Sequence, residues 1–140
     1  MEYKKYNGTW VIGLKKNEKI IEKLSEFVDR EHIKGGYMNG IGAVSSIEIA
    51  HYDLNKKKYS SHTFEEPLEL LSLLGNVAFK DDEKIVHCHV IVGKDDMSLF
   101  GGHLVEGTIG VTCEIIFNEL GEQITKKEDP EIGLNLITFK

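Results

Sequence analysis

The stretch Asp81–Leu104, DDEKIVHCHVIVGKDDMSLFGGHL, decides the fold because it holds two strand patterns on either side of a charged turn. Apolar and β-branched residues fill Ile85–Val92, and acidic residues flank this run, as is typical of a strand bounded by exposed turns. A second apolar run, Leu99–Leu104, follows the turn at Gly93–Met97. This arrangement predicts two neighbouring antiparallel strands.

Strand patterns continue on both sides of this stretch. Alternating or β-branched runs indicate strands at Thr9–Leu14, Ser46–Tyr52, Lys58–Phe64, Leu68–Leu74 and Thr108–Leu120. The glycines of Tyr37–Val44 indicate a strand that runs into a tight bend. Seven or eight strands with few helical crossovers predict an α+β fold with one main helix and a largely antiparallel sheet.

One main helix is predicted after the first strand. Apolar residues recur at helical spacing at Ile20, Ile21, Leu24, Phe27 and Val28. Asn17 is the expected N-cap residue, and the pair Gly35 and Gly36 is expected to stop the helix.

The composition limits the functions that are possible. A chain of 140 residues and 15.8 kDa suits one compact domain spanning residues 1–140. The formal net charge is −6 and Arg30 is the only arginine, which disfavours nucleic acid as a partner. The absence of a signal-peptide pattern and of an 18-residue apolar run predicts a cytoplasmic protein that does not enter membranes. Cys88 and Cys113 lie in strand patterns and are expected to be buried, reduced thiols.

Three histidines carry the strongest functional signal. His87 and His89 are two positions apart in a strand, so both imidazoles project from one face while Cys88 faces the other way. A turn centred near residue 95 places His89 opposite Gly102, and His103 then lies in the right row, on a face that depends on the register. Three imidazoles that leave a fourth position open favour Zn²⁺ or another divalent transition metal.

Carboxylates near the histidines are candidates for proton transfer. Glu69 lies within an apolar run, where a charge is costly unless it is paired or ligates a metal. Glu106 follows His103 by three residues, and Glu114 lies in the last long strand pattern. We expect Glu69 or Glu106 to act as the catalytic carboxylate, while Glu114 is an alternative orienting group or general base.

Several motifs together resemble the PPC domain, a family named for plants and prokaryotes. They are Asn39–Gly42, Glu66–Asn76, the His87–Cys88–His89 triplet, Gly101–Gly107 and Asp129–Leu134, in that order. The resemblance covers nearly the whole chain and implies a PPC-domain fold, in which the β-sheet forms a sandwich or a barrel-like structure, and assembly as a homotrimer. The fold is also similar to a domain of acetolactate decarboxylase, whose zinc is held by a His-X-His pair and a later histidine. His87, His89 and His103 match that arrangement, which implies a metal site of the same kind.

Two functions from different classes follow. The first is a metal-dependent lyase or hydrolase activity on a small polar metabolite. The alternative is a DNA-binding or regulatory trimer without catalysis, because plant PPC proteins are nuclear DNA-binding proteins and many bacterial members carry a DNA-binding label. This chain lacks the Arg-Gly-Arg hook of the plant proteins and carries His103, which plant sequences generally lack. A scaffold for partner proteins is a third possibility, for which nothing in the sequence argues specifically.

Overall fold

A computed structural model of the chain describes residues 1–139. It contains one helix and nine strands within these residues, and all strand pairs but one are antiparallel. The elements are β1 (Glu2–Tyr6), β2 (Thr9–Lys15), α1 (Ile20–Arg30), β3 (Gly36–Asp53), β4 (Lys58–Phe64), β5 (Leu68–Lys80), β6 (Glu83–Gly93), β7 (Leu99–Glu119), β8 (Thr125–Asp129) and β9 (Leu134–Thr138). The predicted α+β class with a largely antiparallel sheet is confirmed.

Four long strands pair in a ring. Strand β3 pairs with both β5 and β7. Strand β6 also pairs with both β5 and β7, which closes the ring. The register between β3 and β7 shifts at three places, so the ring is irregular rather than a clear barrel. The predicted bend in Tyr37–Val44 is one of several bulges along β3, which continues as one strand to Asp53.

Helix α1 closes the core on one side of the sheet. Its side chains Ile20, Leu24, Phe27 and Val28 are buried, and the helix packs against β7 and β6. Phe27 meets the rings of Trp10 and Phe117 edge-on, with centroids 5.3 and 5.6 Å apart. No helix within residues 1–139 is long and apolar enough to cross a membrane.

The helix starts and ends differently from the sequence prediction. Asn17 is not the N-cap: its backbone N–H donates to Ile109 O at 2.8 Å, and its φ is +70°. Lys19 precedes the helix and offers no side-chain cap. The carboxylate of Glu106, from β7, instead accepts hydrogen bonds from the backbone N–H groups of Ile21 at 2.8 Å and Glu22 at 3.2 Å. The helix ends at Arg30, before the two predicted glycines.

We expect Glu106→Ala to lower the free energy of unfolding by about 1 kcal/mol, because it removes an anionic acceptor from the positive end of the helix dipole. Glu106→Gln should retain part of this stability, since its amide oxygen still accepts a hydrogen bond. Urea unfolding followed by circular dichroism measures the difference. Glu114→Ala, which alters an exposed carboxylate of the same strand, is the control. Equal stability of Glu106→Ala and this control would contradict the capping role.

Candidate metal centre

The three predicted histidines meet on one face of the ring. Cys88 is buried in the core, and the alternation along β6 turns His87 and His89 to the opposite face. His103 on β7 lies directly opposite His89. The register therefore differs by one residue from the prediction that His89 faces Gly102, and this difference brings His103 to the same face as the pair.

The geometry of the three imidazoles suits a shared metal ion. Their ring centroids lie 5.0, 5.1 and 5.5 Å apart, and one nitrogen from each ring lies within 4.8 Å of the other two. Nitrogen ligands at about 2.05 Å in a tetrahedral site are about 3.3 Å apart. The three nitrogens therefore need to approach one another by at most about 1.5 Å to ligate one ion.

Glycine before His103 allows the strands that carry the histidines to approach each other. A Cβ on Gly101 would lie 2.1 Å from the carbonyl oxygen of Val90 on β6. A Cβ on Gly102 would lie 2.8 Å from the carbonyl oxygen of Ala50 on β3. Any side chain at these positions would push the backbone of β7 away, so the two glycines hold His103 against both neighbouring strands.

Burial keeps two of the histidines neutral. It lowers the pKa of His87 to about 4, and the positive charge of Lys126 adds to the effect. Burial also lowers the pKa of His103, with His89 and Lys126 acting in the same direction. Neutral imidazoles are the form that ligates metals. The Nδ1 atom of His103 is buried and has no hydrogen-bond partner among the described residues, so this atom fits a site whose remaining partner is a bound group.

Other side chains near the histidines were missed by the sequence analysis. The ring of Tyr59 on β4 lies 5.0 Å from that of His103. Asn76 on β5 is the cross-strand partner of His87, and its Oδ1 atom is buried without a described partner. Lys126 on β8 is buried close enough to influence the pKa values of His87 and His103. The sequence shows Lys126 only as one of two adjacent lysines in a polar tail, and pairing of that tail with the sheet is what buries it.

The predicted carboxylates do not join the histidines. Glu69 is exposed, because the alternation along β5 buries Leu68 and Leu70 and turns Glu69 outward. The expectation of a costly buried charge at this position was therefore wrong. Glu106 caps α1, and Glu114 is exposed. Within residues 1–139, the group of potential ligands around the three histidines includes none of these carboxylates.

Both cysteines are free and buried, as predicted. Burial raises the pKa of Cys88 to about 12 and that of Cys113 to about 12. A thiol with so high a pKa is a poor nucleophile at neutral pH. Together with the direction of Cys88, this argues against covalent catalysis by either residue.

Comparison with known proteins places this chain in a family. The family model described as the Plants and Prokaryotes Conserved (PCC) domain matches residues 1–121. The chain belongs to this family. The PCC domain is the PPC domain that the sequence motifs indicated, and no curated protein matches the sequence.

Solved structures of three similar proteins share this fold. A Bacteroides thetaiotaomicron candidate DNA-binding protein is 28% identical over 99% of this chain and 96% of its own, with a TM-score of 0.96. A protein from Archaeoglobus fulgidus described as metal-containing is 33% identical over 99% and 96%, with a TM-score of 0.86. A plant- and prokaryote-conserved protein from Pyrococcus horikoshii is 32% identical over 99% and 94%, also at 0.86.

The predicted likeness to acetolactate decarboxylase is supported at the level of the fold. A Staphylococcus aureus protein described as similar to that enzyme has a TM-score of 0.58 and 8% identity. The match covers 82% of this chain and 53% of the other.

Proposed function

We propose that this PCC-domain protein binds one divalent transition metal, with zinc as the first candidate, through His87, His89 and His103. The convergence of three imidazoles, each with one nitrogen within 4.8 Å of a nitrogen of the other two, carries the proposal. The buried Nδ1 of His103, which has no hydrogen-bond partner among residues 1–139, and the metal-containing description of the Archaeoglobus fulgidus protein support it.

We further propose that the site acts on a small polar metabolite by lyase or hydrolase chemistry. A bound Zn²⁺ with three histidine ligands offers Lewis acidity at its open coordination position. The ring of Tyr59, whose centroid lies 5.0 Å from that of His103, is the chain's candidate for orienting the ligand. Glu69, exposed on β5, is our candidate for a proton-transferring carboxylate supplied across a subunit interface, and we assign Glu106 a structural role at α1.

The test is metal analysis of protein purified without an affinity tag, because a polyhistidine tag would itself bind metal. The protein is stripped with a chelator, incubated with equimolar Zn²⁺, Co²⁺ or Mn²⁺, desalted and analysed for metal. We expect about one Zn²⁺ or Co²⁺ per chain and little Mn²⁺, since imidazole ligands favour the first two ions. If the protein retained none of the three metals, this result would contradict the proposal.

DNA binding is the second candidate, because the Bacteroides thetaiotaomicron protein and a Ralstonia eutropha protein at 26% identity are both described as candidate DNA-binding proteins. The net charge of −6 opposes it. Fluorescence anisotropy with an AT-rich duplex distinguishes the two functions. Tight binding that weakens steeply with salt would favour DNA, since lysine contacts with phosphates release counterions.

We also propose that the protein assembles as a homotrimer and works in the cytoplasm. An apolar groove supports self-association: Ile41 and Val111 are 59% and 70% exposed, and Leu71 lies beside them. Exposed apolar surface of this kind is typical of interaction sites. Two buried free thiols suit a reducing compartment. Light scattering after size-exclusion chromatography gives the number of subunits, and a monomeric mass would contradict the trimer.

A further inference from the structure

The side chain of Asn76 on β5 ends in a buried oxygen that has no donor. Within residues 1–139, two buried side-chain atoms lack a hydrogen-bond partner, and they are Asn76 Oδ1 and His103 Nδ1. Asn76 lies opposite His87 on β6, and His103 lies opposite His89 on the same strand. Buried polar atoms are almost always hydrogen-bonded, so both exceptions point to the place where the histidines meet.

The strand register turns Asn76 toward the face that carries the histidines. Its neighbour Gly75 lies opposite Cys88, and a Cβ on Gly75 would lie 2.6 Å from the buried Cys88 Sγ. Side chains alternate along a strand, so Asn76 points to the other face, as His87 does. The same Cβ would lie 2.6 Å from the carbonyl oxygen of His87, so β5 and β6 pack closely at this point. Side chains directly opposite each other have Cβ atoms about 4.5 to 5.5 Å apart, which makes the amide of Asn76 and the imidazole of His87 direct neighbours.

The donor for Asn76 Oδ1 must come from the protein itself. The atom is buried, so a molecule from solution does not reach it unless the side chains that cover it move. Two residues lie directly opposite Asn76, His87 on β6 and Tyr37 on β3. Tyr37 is 52% exposed, and its hydroxyl lies at the far end of a long side chain. The Nδ1 atom of an imidazole, in contrast, is the ring nitrogen nearer to the backbone, so His87 is the neighbour best placed to donate.

We propose that Asn76 is the positioning residue for His87. Its Oδ1 atom accepts a hydrogen bond from the Nδ1–H group of His87, which leaves Nε2 of the same ring to bind the metal. Metal-ligating imidazoles almost always donate their other ring N–H to an oxygen or a water, and this bond fixes the tautomer and the direction of the ring. The last torsion of asparagine and of histidine is broad, so the two groups can align without movement of the strands. This inference rests on the proposed metal site and adds to it a residue that does not touch the metal.

The experiment compares the Zn²⁺ affinity of wild-type protein with that of two variants, by competition with a chromophoric chelator. Asn76→Leu keeps the size of the side chain and removes the acceptor, and we expect it to lower the affinity by about 10- to 100-fold. Asn76→Asp keeps an acceptor oxygen at the same position, so its affinity should return to the wild-type value or exceed it. Asn39→Leu makes the same change at an exposed asparagine of β3 and should bind Zn²⁺ like the wild type.

Nuclear magnetic resonance of the zinc-loaded wild-type protein gives a second readout. Long-range correlations between the ring protons and the ring nitrogens distinguish a protonated nitrogen from a metal-bound one. We expect His87 to be protonated at Nδ1 and to bind zinc through Nε2. If His87 binds zinc through Nδ1, the inference is overturned without the use of any variant.

The outcomes separate the two proposals. If wild-type protein does not retain zinc, the metal site fails and this inference falls with it. If zinc binds and Asn76→Leu keeps the wild-type affinity, only the role of Asn76 is overturned. An equal loss of affinity in Asn76→Leu and Asn76→Asp would also overturn it, because the acceptor oxygen would then not matter. Circular dichroism shows whether each variant is folded, and if Asn76→Leu is not, the nitrogen through which His87 binds zinc in the wild type decides.

Discussion

His89→Ala is expected to lower the affinity for Zn²⁺ by more than about 100-fold, because it removes one of the three proposed protein ligands. Outer partners of metal ligands typically contribute 10- to 100-fold to affinity, so loss of a ligand itself should cost at least about the upper end of that range. Competition with a chromophoric chelator measures the affinity in stripped and reloaded protein. His89 is exposed on the face away from the core, so the variant should keep its fold.

The control for this loss is His62→Ala, which removes an exposed histidine from β4 without changing the three ligands. It should bind Zn²⁺ like the wild type. Circular dichroism and urea unfolding of both variants show whether folding is intact. If the double alanine variant of His87 and His89 still held stoichiometric zinc, this result would contradict the proposed metal site.

The histidine cluster could be predicted because it depends on local rules. Alternation along a strand places His87 and His89 on one face, and a short turn limits where His103 can lie. The exact register was missed by one residue, because the centre of the turn depends on backbone conformations such as the positive φ of Met97. The same local rule, applied fully, would also have shown that Glu69 points outward between Leu68 and Leu70.

The features that could not be predicted from the sequence depend on long-range contacts. The cap of α1 comes from Glu106, which is 85 residues away from Ile21 in the chain. No local capping pattern in the sequence therefore predicts it. Strand β1 has a polar sequence and forms because it pairs with β2 at the sheet edge. The burial of Lys126 likewise depends on how the C-terminal hairpin meets β3 and β5. Such pairings are tertiary, and a single-sequence pattern carries little information about them.

The stability of the metal-free protein should fall between pH 7 and pH 5. Histidine has an ordinary pKa of 6.5, and burial lowers the pKa of His87 to about 4 in the folded state. The unfolded chain therefore takes up a proton first as the pH drops, and stability present above pH 6.5 is lost progressively towards pH 4. The lowered pKa of His103 acts in the same direction. For His87 alone we expect a loss of about 1 to 2 kcal/mol between pH 7 and pH 5.

Urea unfolding of chelator-treated protein at fixed concentration, repeated at half-unit steps of pH, measures this slope. His87→Gln should flatten it, since glutamine does not titrate, while the contribution of His103 remains. His62→Gln, which alters an exposed histidine on β4, should leave the slope as in the wild type. Saturating Zn²⁺ should steepen it, because protons and the metal compete for the same nitrogens and the metal stabilises only the folded state. A stability that is constant from pH 7 to pH 5, or a slope unchanged in His87→Gln, would show that His87 is not held neutral by the fold.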